Sequence, residues 1–154
     1  MKVLGIDPGL TKTGWGIVNF TENKISYVND GYLSQNEKIL GKKLLKIFNN
    51  LTQIMNEFKP DLVGIEQTFV GLGNVSSLKL GMARGVSILA ATKMEIQIIE
   101  LQPKLIKKNI TGSGLATKEQ VKEMVKKLLN INPKNDDSSD ALAVAISSQA
   151  YYSR

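Results

Sequence analysis

The chain has 154 residues, of which 42% are hydrophobic, and these values predict a single domain, 1–154, with a core large enough to fold unaided. It carries 20 Lys and Arg against 14 Asp and Glu, and the resulting charge of +6 is only weak support for a polyanionic partner. The absence of Cys and His excludes disulfides, thiolate catalysis and histidine bases, so a catalytic site must use carboxylates, lysines, hydroxyls or a metal. No apolar run approaches the roughly 20 residues of a membrane span, and the chain enters a strand without a signal peptide, so we expect a cytoplasmic protein with no membrane partner.

The first 34 residues are predicted to form three strands. Met1–Asp7 is an apolar strand that runs into Pro8-Gly9. Gly14–Phe20 follows a turn-rich segment, and Lys24–Ser34 follows the turn at 21–23. Because these connections are short, the sequence predicts an antiparallel meander.

Helices and strands then alternate. Glu37–Phe58 has apolar residues at three- and four-residue steps, which predicts an amphipathic helix that Pro60 stops. A strand, Leu62–Thr68, follows, and the crossover through the helix should place it parallel to the first strand. Ser76–Met94 is predicted to be a second helix, and Glu95–Leu101 a fifth strand.

Two helices complete the predicted fold. Lys118–Leu129 follows Thr117, a suitable N-cap, and the last helix carries the small apolar run Asp140–Ala150 after a polar linker, 130–136. The order β-β-β-α-β-α-β-α-α predicts an α/β protein whose mixed five-stranded sheet is flanked by helices on both faces.

Four acidic residues end strands or begin a helix. Asp7 and Glu66 each end an apolar strand, and the alternation of side chains places them on one face at one edge if the strands are neighbours. Gly5 and Gly64 precede them on that face and should leave space beneath the site. Three-residue spacing places Asp137 and Asp140 on one face of the last helix, which would bring both to the same edge.

Four carboxylates together would repel one another, and two Mg²⁺ ions, which prefer oxygen ligands, would neutralise them. Such a pair of ions can also activate a water for phosphodiester hydrolysis. Structural roles remain open at this point: Asp137 as an N-cap with Asp140 in the first turn, and Asp7 as a turn residue.

Four motifs, in order along the chain, resemble the RuvC family of bacterial Holliday junction resolvases: GIDPGLTKTGWG (5–16), IEQTF (65–69), LKLGMARG (78–85) and DSSDALAVAI (137–146). The resemblance implies a ribonuclease H-like fold. It also implies a homodimeric endonuclease that uses Mg²⁺ or Mn²⁺ to cut two opposed strands of a four-way DNA junction and leaves 5′-phosphate and 3′-hydroxyl ends. A junction-binding protein and a branch-migration ATPase are partners by the same analogy.

The resemblance also assigns residues. Asp7, Glu66, Asp137 and Asp140 fall on the family's four catalytic positions. Family members can carry a His at the third, and Asp136 beside it could substitute for Asp137 or add a ligand; the spacing to Asp140 favours Asp137.

Other residues are candidates for DNA contacts. Phe69 could stack on an unpaired base or anchor its own loop. Lys107 and Lys118 fit phosphate contacts, and Arg84 could contact a phosphate or a carboxylate. The helix that carries Gly81 and Gly85 is the candidate dimer contact.

Three competing functions remain at this stage. One is a ribonuclease H that acts on RNA–DNA hybrids, and another is a junction-binding module without catalysis. The third is an actin-like ATPase, against which the single domain and the absent second phosphate loop argue.

Overall fold

The computed structural model describes residues 1–22, 24–67 and 75–152. Its elements, in chain order, are β1 (Lys2–Asp7), β2 (Lys12–Thr21), β3 (Lys24–Ser34), α1 (Leu40–Phe58), β4 (Leu62–Glu66), α2 (Val75–Lys93), β5 (Gln97–Leu101), α3 (Pro103–Thr111), α4 (Lys118–Leu129) and α5 (Asp136–Tyr152).

The five strands form one mixed sheet in the order β3-β2-β1-β4-β5. The pairs β1/β2 and β2/β3 are antiparallel, whereas β1/β4 and β4/β5 are parallel. This arrangement confirms the predicted meander and the predicted parallel crossover from β1 to β4.

Helices cover both faces of this sheet, as predicted. Side chains alternate along a strand, so Val3 and Leu62 face one way and their neighbours Leu4 and Val63 face the other. The first pair joins a core with α3, α4 and α5, and the second pair joins a core with α1 and α2. The part of the chain that the structure describes contains no helix that is both long and apolar enough to cross a membrane.

Local hydrogen bonds explain where two helices begin. Helix α1 begins at Leu40 rather than at Glu37, because Glu37 Oε1 accepts hydrogen bonds from the amides of Lys38 and Ile39 and offers these residues an alternative to helix. Thr117 caps α4 in a reciprocal capping box with Gln120, which confirms the predicted start of that helix.

Helix α3 was not predicted from the sequence. Pro103 stands at its first turn and Gly112 ends it with a φ of 85°, and both positions are typical of helix ends. Ile106 and Ile110, four residues apart, are its buried residues. The sequence therefore contained the start and stop signals, but the helix has only nine residues, and its apolar face is marked by just two buried residues.

Candidate active site

Asp7 and Glu66 lie side by side where β1 and β4 end. The parallel register pairs Gly5 with Gly64 and Ile6 with Ile65, so Asp7 and Glu66 are the next residues on the two strands. Both side chains are half-buried, and both project toward α5, on the same face as the two glycines.

Helix α5 packs directly on this face, because the strands beneath it carry glycine. A Cβ atom on Gly5 would stand only 2.0 Å from the Ala141 carbonyl oxygen, and one on Gly14 only 2.1 Å from the Asp137 carbonyl oxygen. The prediction that Gly5 and Gly64 leave space beneath the site was therefore wrong, since the backbone of α5 fills that space at Gly5 and Ser148 and Val144 fill it at Gly64. This close approach brings the first two turns of α5 to the edge where β1 and β4 end.

The start of α5 is capped by Asn135, not by Asp137. Asn135 Oδ1 accepts from the Ser138 amide at 2.8 Å, and Ser138 Oγ accepts from the Asn135 amide at 3.1 Å. Helix α5 begins at Asp136, which places Asp137 in the first turn and Asp140 one turn further on. The alternative that Asp137 serves as the N-cap is thereby excluded, and its carboxylate is free of that role.

The pKa values of three acids show that the carboxylates lie within electrostatic reach of one another. Burial, followed by the negative charges of Glu66, Asp140 and Asp137, raises the pKa of Asp7 to about 8. Burial, followed by the charge of Asp140, also raises the pKa of Glu66. The pKa of Asp140 is raised as well, mainly by burial, although Lys118 opposes the shift. Strong shifts of this kind, caused by burial and like charges, are typical of functional sites.

Two lysines stand beside the acids on the α3–α4 side. Lys118 Nζ donates to Asp140 Oδ2 at 2.9 Å. Together with Lys107, the side chains of Glu66, Lys118 and Asp140 line a cavity of about 350 Å³ that lies between β4, α3, α4 and α5. Lys118 and Lys107 both lower the pKa of Glu66. The two predicted lysines therefore act on the acidic edge, our name for Asp7, Glu66, Asp137 and Asp140 where β1 and β4 end.

A third lysine, which the sequence did not single out, approaches from the other side. Lys12 Nζ lies 4.0 Å from Asp137 Oδ2 and 5.3 Å from the centre of the Tyr32 ring. Lys12 stands at the start of β2, and Asp137 stands 125 positions further along the chain, so no local pattern joined them.

Asp136, the alternative to Asp137, faces a different partner. Its Oδ1 atom accepts from Lys122 Nζ at 2.5 Å, and its side chain is 61% exposed. Lys122 lowers the pKa of Asp136, which is the opposite of the shifts at the acidic edge.

The remaining candidates lie elsewhere. Arg84 forms an ion pair with Glu100 of β5, and its Nε donates to Glu100 Oε2 at 2.6 Å. The sequence had left a phosphate or a carboxylate as the partner of Arg84, and the structure contains the carboxylate contact. Phe69 lies outside the described residues. The candidate dimer helix, α2, has open space around both Gly81 and Gly85.

The acids suit a hard divalent cation by their chemistry. All four offer carboxylate oxygens, the donors that Mg²⁺ prefers, and the raised pKa values of Asp7, Glu66 and Asp140 reflect a negative charge that a cation would neutralise. Across residues 1–22, 24–67 and 75–152, no three acidic side chains already converge as a ligand set, and Asp140 and Asp137 face lysines instead. Binding of a cation would thus require rotation of acidic side chains and release of these lysines.

The sheet order, the helices on both faces and the acidic edge define the class: this is a protein with the ribonuclease H-like fold. The family profile of crossover junction endodeoxyribonuclease RuvC matches residues 3–148. The chain belongs to the RuvC family.

Similar proteins cover nearly the full chain. The crossover junction endodeoxyribonuclease RuvC of Nitrobacter hamburgensis is 43% identical over 148 residues, which are 95% of this chain and 87% of that protein. That of Ruegeria pomeroyi is 42% identical over 153 residues, 99% of this chain and 92% of that protein.

Solved structures agree with this assignment. The structure of Thermus thermophilus RuvC in complex with a Holliday junction substrate superposes with a TM-score of 0.90 at 28% identity, covering 100% of this chain and 95% of that chain. The yeast mitochondrial Holliday junction resolvase Ydc2 has a TM-score of 0.69 at 16% identity over 98% of this chain and 80% of its own, a likeness of fold alone.

Proposed function

We propose that this chain is an endonuclease that resolves four-way DNA junctions by hydrolysing a phosphodiester in each of two opposed strands. One observation carries the proposal: in a member of the RuvC family, Asp7, Glu66, Asp137 and Asp140 stand at one edge of the sheet, where burial and the charges of the other three acids raise the pKa of Asp7 to about 8. Homologous recombination and DNA repair are the processes that such an activity serves.

The four carboxylates would hold two Mg²⁺ ions, for which Mn²⁺ could substitute. Bound ions of this kind activate a water and stabilise the leaving oxygen of a phosphodiester. The chain's own part is to hold the carboxylates in place on β1, β4 and α5. A water would attack the phosphorus, the bond to the 3′ oxygen would break, and the products would carry a 5′-phosphate and a 3′-hydroxyl.

The lysines and the aromatic loop are the proposed DNA contacts. Lys107 and Lys118 line the cavity beside Glu66 and Asp140, where their ammonium groups could bind a phosphate once the acids hold cations. Phe69 is proposed to stack on an unpaired base, and Arg84 would need to leave Glu100 to reach a phosphate.

A homodimer would present two such sites to the two-fold symmetric junction. An apolar groove of about 350 Å³ runs between α1 and α2, lined by Leu44, Leu45, Phe48, Val86 and Leu89. Leu45 and Leu89 are more than half exposed, and the open sides of Gly81 and Gly85 lie on the same helix as Leu89. We place the dimer contact here, and Leu89→Glu should shift the mass measured by light scattering from dimer to monomer, while a persistent dimer would contradict the placement.

A junction-binding protein and a branch-migration ATPase are further proposed partners, on the strength of family membership alone. Co-purification of either with the wild-type chain on a four-way junction, but not on linear duplex, would be the expected result.

The function is tested by incubating the protein with a labelled mobile four-way junction, a linear duplex and an RNA–DNA hybrid, each with and without Mg²⁺. We expect paired, ligatable nicks in the junction alone, and only with the cation. Cleavage of the hybrid as readily as the junction would favour a ribonuclease H, and junction binding without cleavage at any Mg²⁺ or Mn²⁺ concentration would favour a binding module.

A further inference from the structure

A buried carboxylate on the outer strand of the sheet has no place in the chemistry above. Asp30 lies near the middle of β3, opposite Gly16 of β2, and only 1% of it is exposed. Burial of a carboxylate is costly unless hydrogen bonds compensate it, so an apolar residue would be the simpler choice at such a position.

Both oxygens of this carboxylate are hydrogen-bonded. Oδ1 accepts from the Tyr27 hydroxyl at 2.7 Å, and Oδ2 accepts from the backbone amide of Lys134 at 2.8 Å. The Lys134 side chain reaches back, donating from Nζ to the Asp30 carbonyl oxygen at 2.6 Å and to Asn29 Oδ1 at 3.0 Å. We call these contacts between β3 and Lys134 the Asp30 clamp; they join residues 104 positions apart.

The clamp holds the segment that leads into the acidic edge. Lys134 directly precedes Asn135, whose side chain caps α5 through the Ser138 amide. The first two turns after this cap carry Asp137 and Asp140. A backbone atom fixed at residue 134 and a cap at residue 135 leave the start of α5 little freedom to slide or rotate on the sheet.

The glycine contacts alone would not supply this restraint. Gly14 and Gly5 allow α5 to approach the sheet closely. A close approach sets the distance between helix and sheet, but it does not set the residue at which the first turn begins. The linker before α5 is polar and short, so a hydrogen bond from its backbone to the sheet is an effective way to set that position.

We infer that Asp30 is a positioning residue for the acidic edge: it fixes the Lys134 backbone, and through it the placement of Asp137 and Asp140 relative to Asp7 and Glu66. The inference rests on the proposed function only in so far as those acids are the cation site. It predicts that loss of Asp30 disturbs the start of α5 and the response to Mg²⁺ more than it disturbs the rest of the fold.

Three variants separate the contributions. Asp30→Ala removes both acceptors. Asp30→Asn can keep both contacts, because its amide oxygen can accept from the Lys134 amide while its NH₂ group donates to the Tyr27 oxygen. Lys134→Met removes only the side-chain half of the clamp: the Asp30 carbonyl oxygen loses the Nζ donor, but both hydrogen bonds of the buried carboxylate remain, so this variant should fold even if Asp30→Ala does not.

Asp61→Ala is the matched control. Asp61 Oδ2 accepts from the backbone amide of Lys2 at 2.6 Å, so it makes the same kind of bond at the opposite end of the sheet. This variant should leave α5 and the Mg²⁺ response unchanged.

Two measurements read the result, and the first needs neither metal nor DNA. Amide hydrogen exchange at residues 137–140 should become roughly 10-fold faster in Asp30→Ala, and the Mg²⁺ concentration for half-maximal binding or junction cleavage should rise roughly 10-fold, as for lost supporting contacts around other metal sites. Lys134→Met should show a smaller change in the same direction, and Asp30→Asn should stay within about threefold of wild type, because both its contacts survive.

Wild-type exchange and Mg²⁺ response in Asp30→Ala would overturn the inference, as would wild-type behaviour of Lys134→Met if Asp30→Ala fails to fold. An equal effect of Asp61→Ala would also overturn it, because the change would then reflect general destabilisation. If the wild-type protein fails to cut junctions, the proposed function is wrong, while the exchange data still decide whether the clamp positions α5.

Discussion

Two lysine–aspartate pairs at the start of α5 have similar geometry and opposite consequences. Lys118 meets Asp140 at 2.9 Å, and Lys122 meets Asp136 at 2.5 Å, with both lysines on α4 and both acids in the first two turns of α5. The pKa of Asp140 is nevertheless raised, whereas that of Asp136 is lowered.

The difference lies in what surrounds each acid. Asp136 is mostly exposed, and the lysine beside it is the dominant influence on its charge. Asp140 faces the sheet edge, where burial is the largest cause of its shift and the charge of Asp137 adds to it. A nearby lysine therefore does not decide the state of an acid when burial and other acids act against it. Only an acid such as Asp140, which is buried near other acids, would be strongly stabilised in its ionised form by a bound cation.

The largest expected effect comes from removing the charge of the most perturbed acid. Asp7→Asn should lower junction cleavage by about 100-fold or more, since a lost ligand should exceed the effect of a lost supporting contact. Metal-free junction binding, measured by gel shift, should persist. Asp136→Asn, the matched change on the exposed side, should cleave like wild type, and equal losses in the two variants would contradict the distinction between the two acids.

Lys118 and Lys122 should likewise differ in their effect on the rate and pH profile of cleavage. Lys118 lowers the pKa of Asp7, Glu66 and Asp140, so Lys118→Ala should raise these pKa values and move the pH profile of cleavage to higher pH, with a rate loss of about 10-fold near neutrality. Lys122→Ala should change neither the rate nor the profile. An unmoved profile in Lys118→Ala would show that its charge does not act on the acidic edge.

The close approach of α5 should be sensitive to a single methyl group. Gly5→Ala places a Cβ atom against backbone atoms of Ala141 and Ala145 and should cost about 2 kcal/mol or more in the free energy of unfolding, measured by urea denaturation. Gly41→Ala in α1 meets open space and should stabilise the protein by up to about 1 kcal/mol through helix propensity. A neutral Gly5→Ala would mean that α5 does not rest on the strand.

The metal-free protein should lose stability as pH rises from about 4 to about 8. The ordinary pKa of an aspartate is 3.8, and that of Asp7 in the folded protein is about 8. Between these pH values the folded state binds one more proton than the unfolded state, so stability falls as pH increases. One proton gives a slope of at most about 1.4 kcal/mol per pH unit. Thermal unfolding across this range should show the decline in wild type and a weaker one in Asp7→Asn, and a rise with pH would contradict the assignment.

The sequence predicted the three-strand meander, the parallel crossover from β1 to β4 and the elements that carry the four acids, because these follow from local patterns. Alternation fixed the faces of Asp7 and Glu66, and three-residue spacing fixed those of Asp137 and Asp140. What it missed depends on contacts between distant segments: the filling of the space above Gly5 by α5, the approach of Lys12 to Asp137, and the bond from Lys134 to Asp30. Helix α5 also begins before its apolar run, because Asn135 and Ser138 form its cap. From the sequence, Asp136 was assigned to the linker and Asp137 was a possible N-cap.

The central claim is that burial and neighbouring acids, not the nearest lysine, set the state of the acidic edge. The most direct test is a carbon-13 NMR titration of the Asp7 carboxyl in the wild-type protein, with and without Mg²⁺. The account predicts a midpoint near pH 8 without the cation and a shift to lower pH when Mg²⁺ is added. A midpoint near the ordinary value of 3.8, unchanged by Mg²⁺, would contradict it.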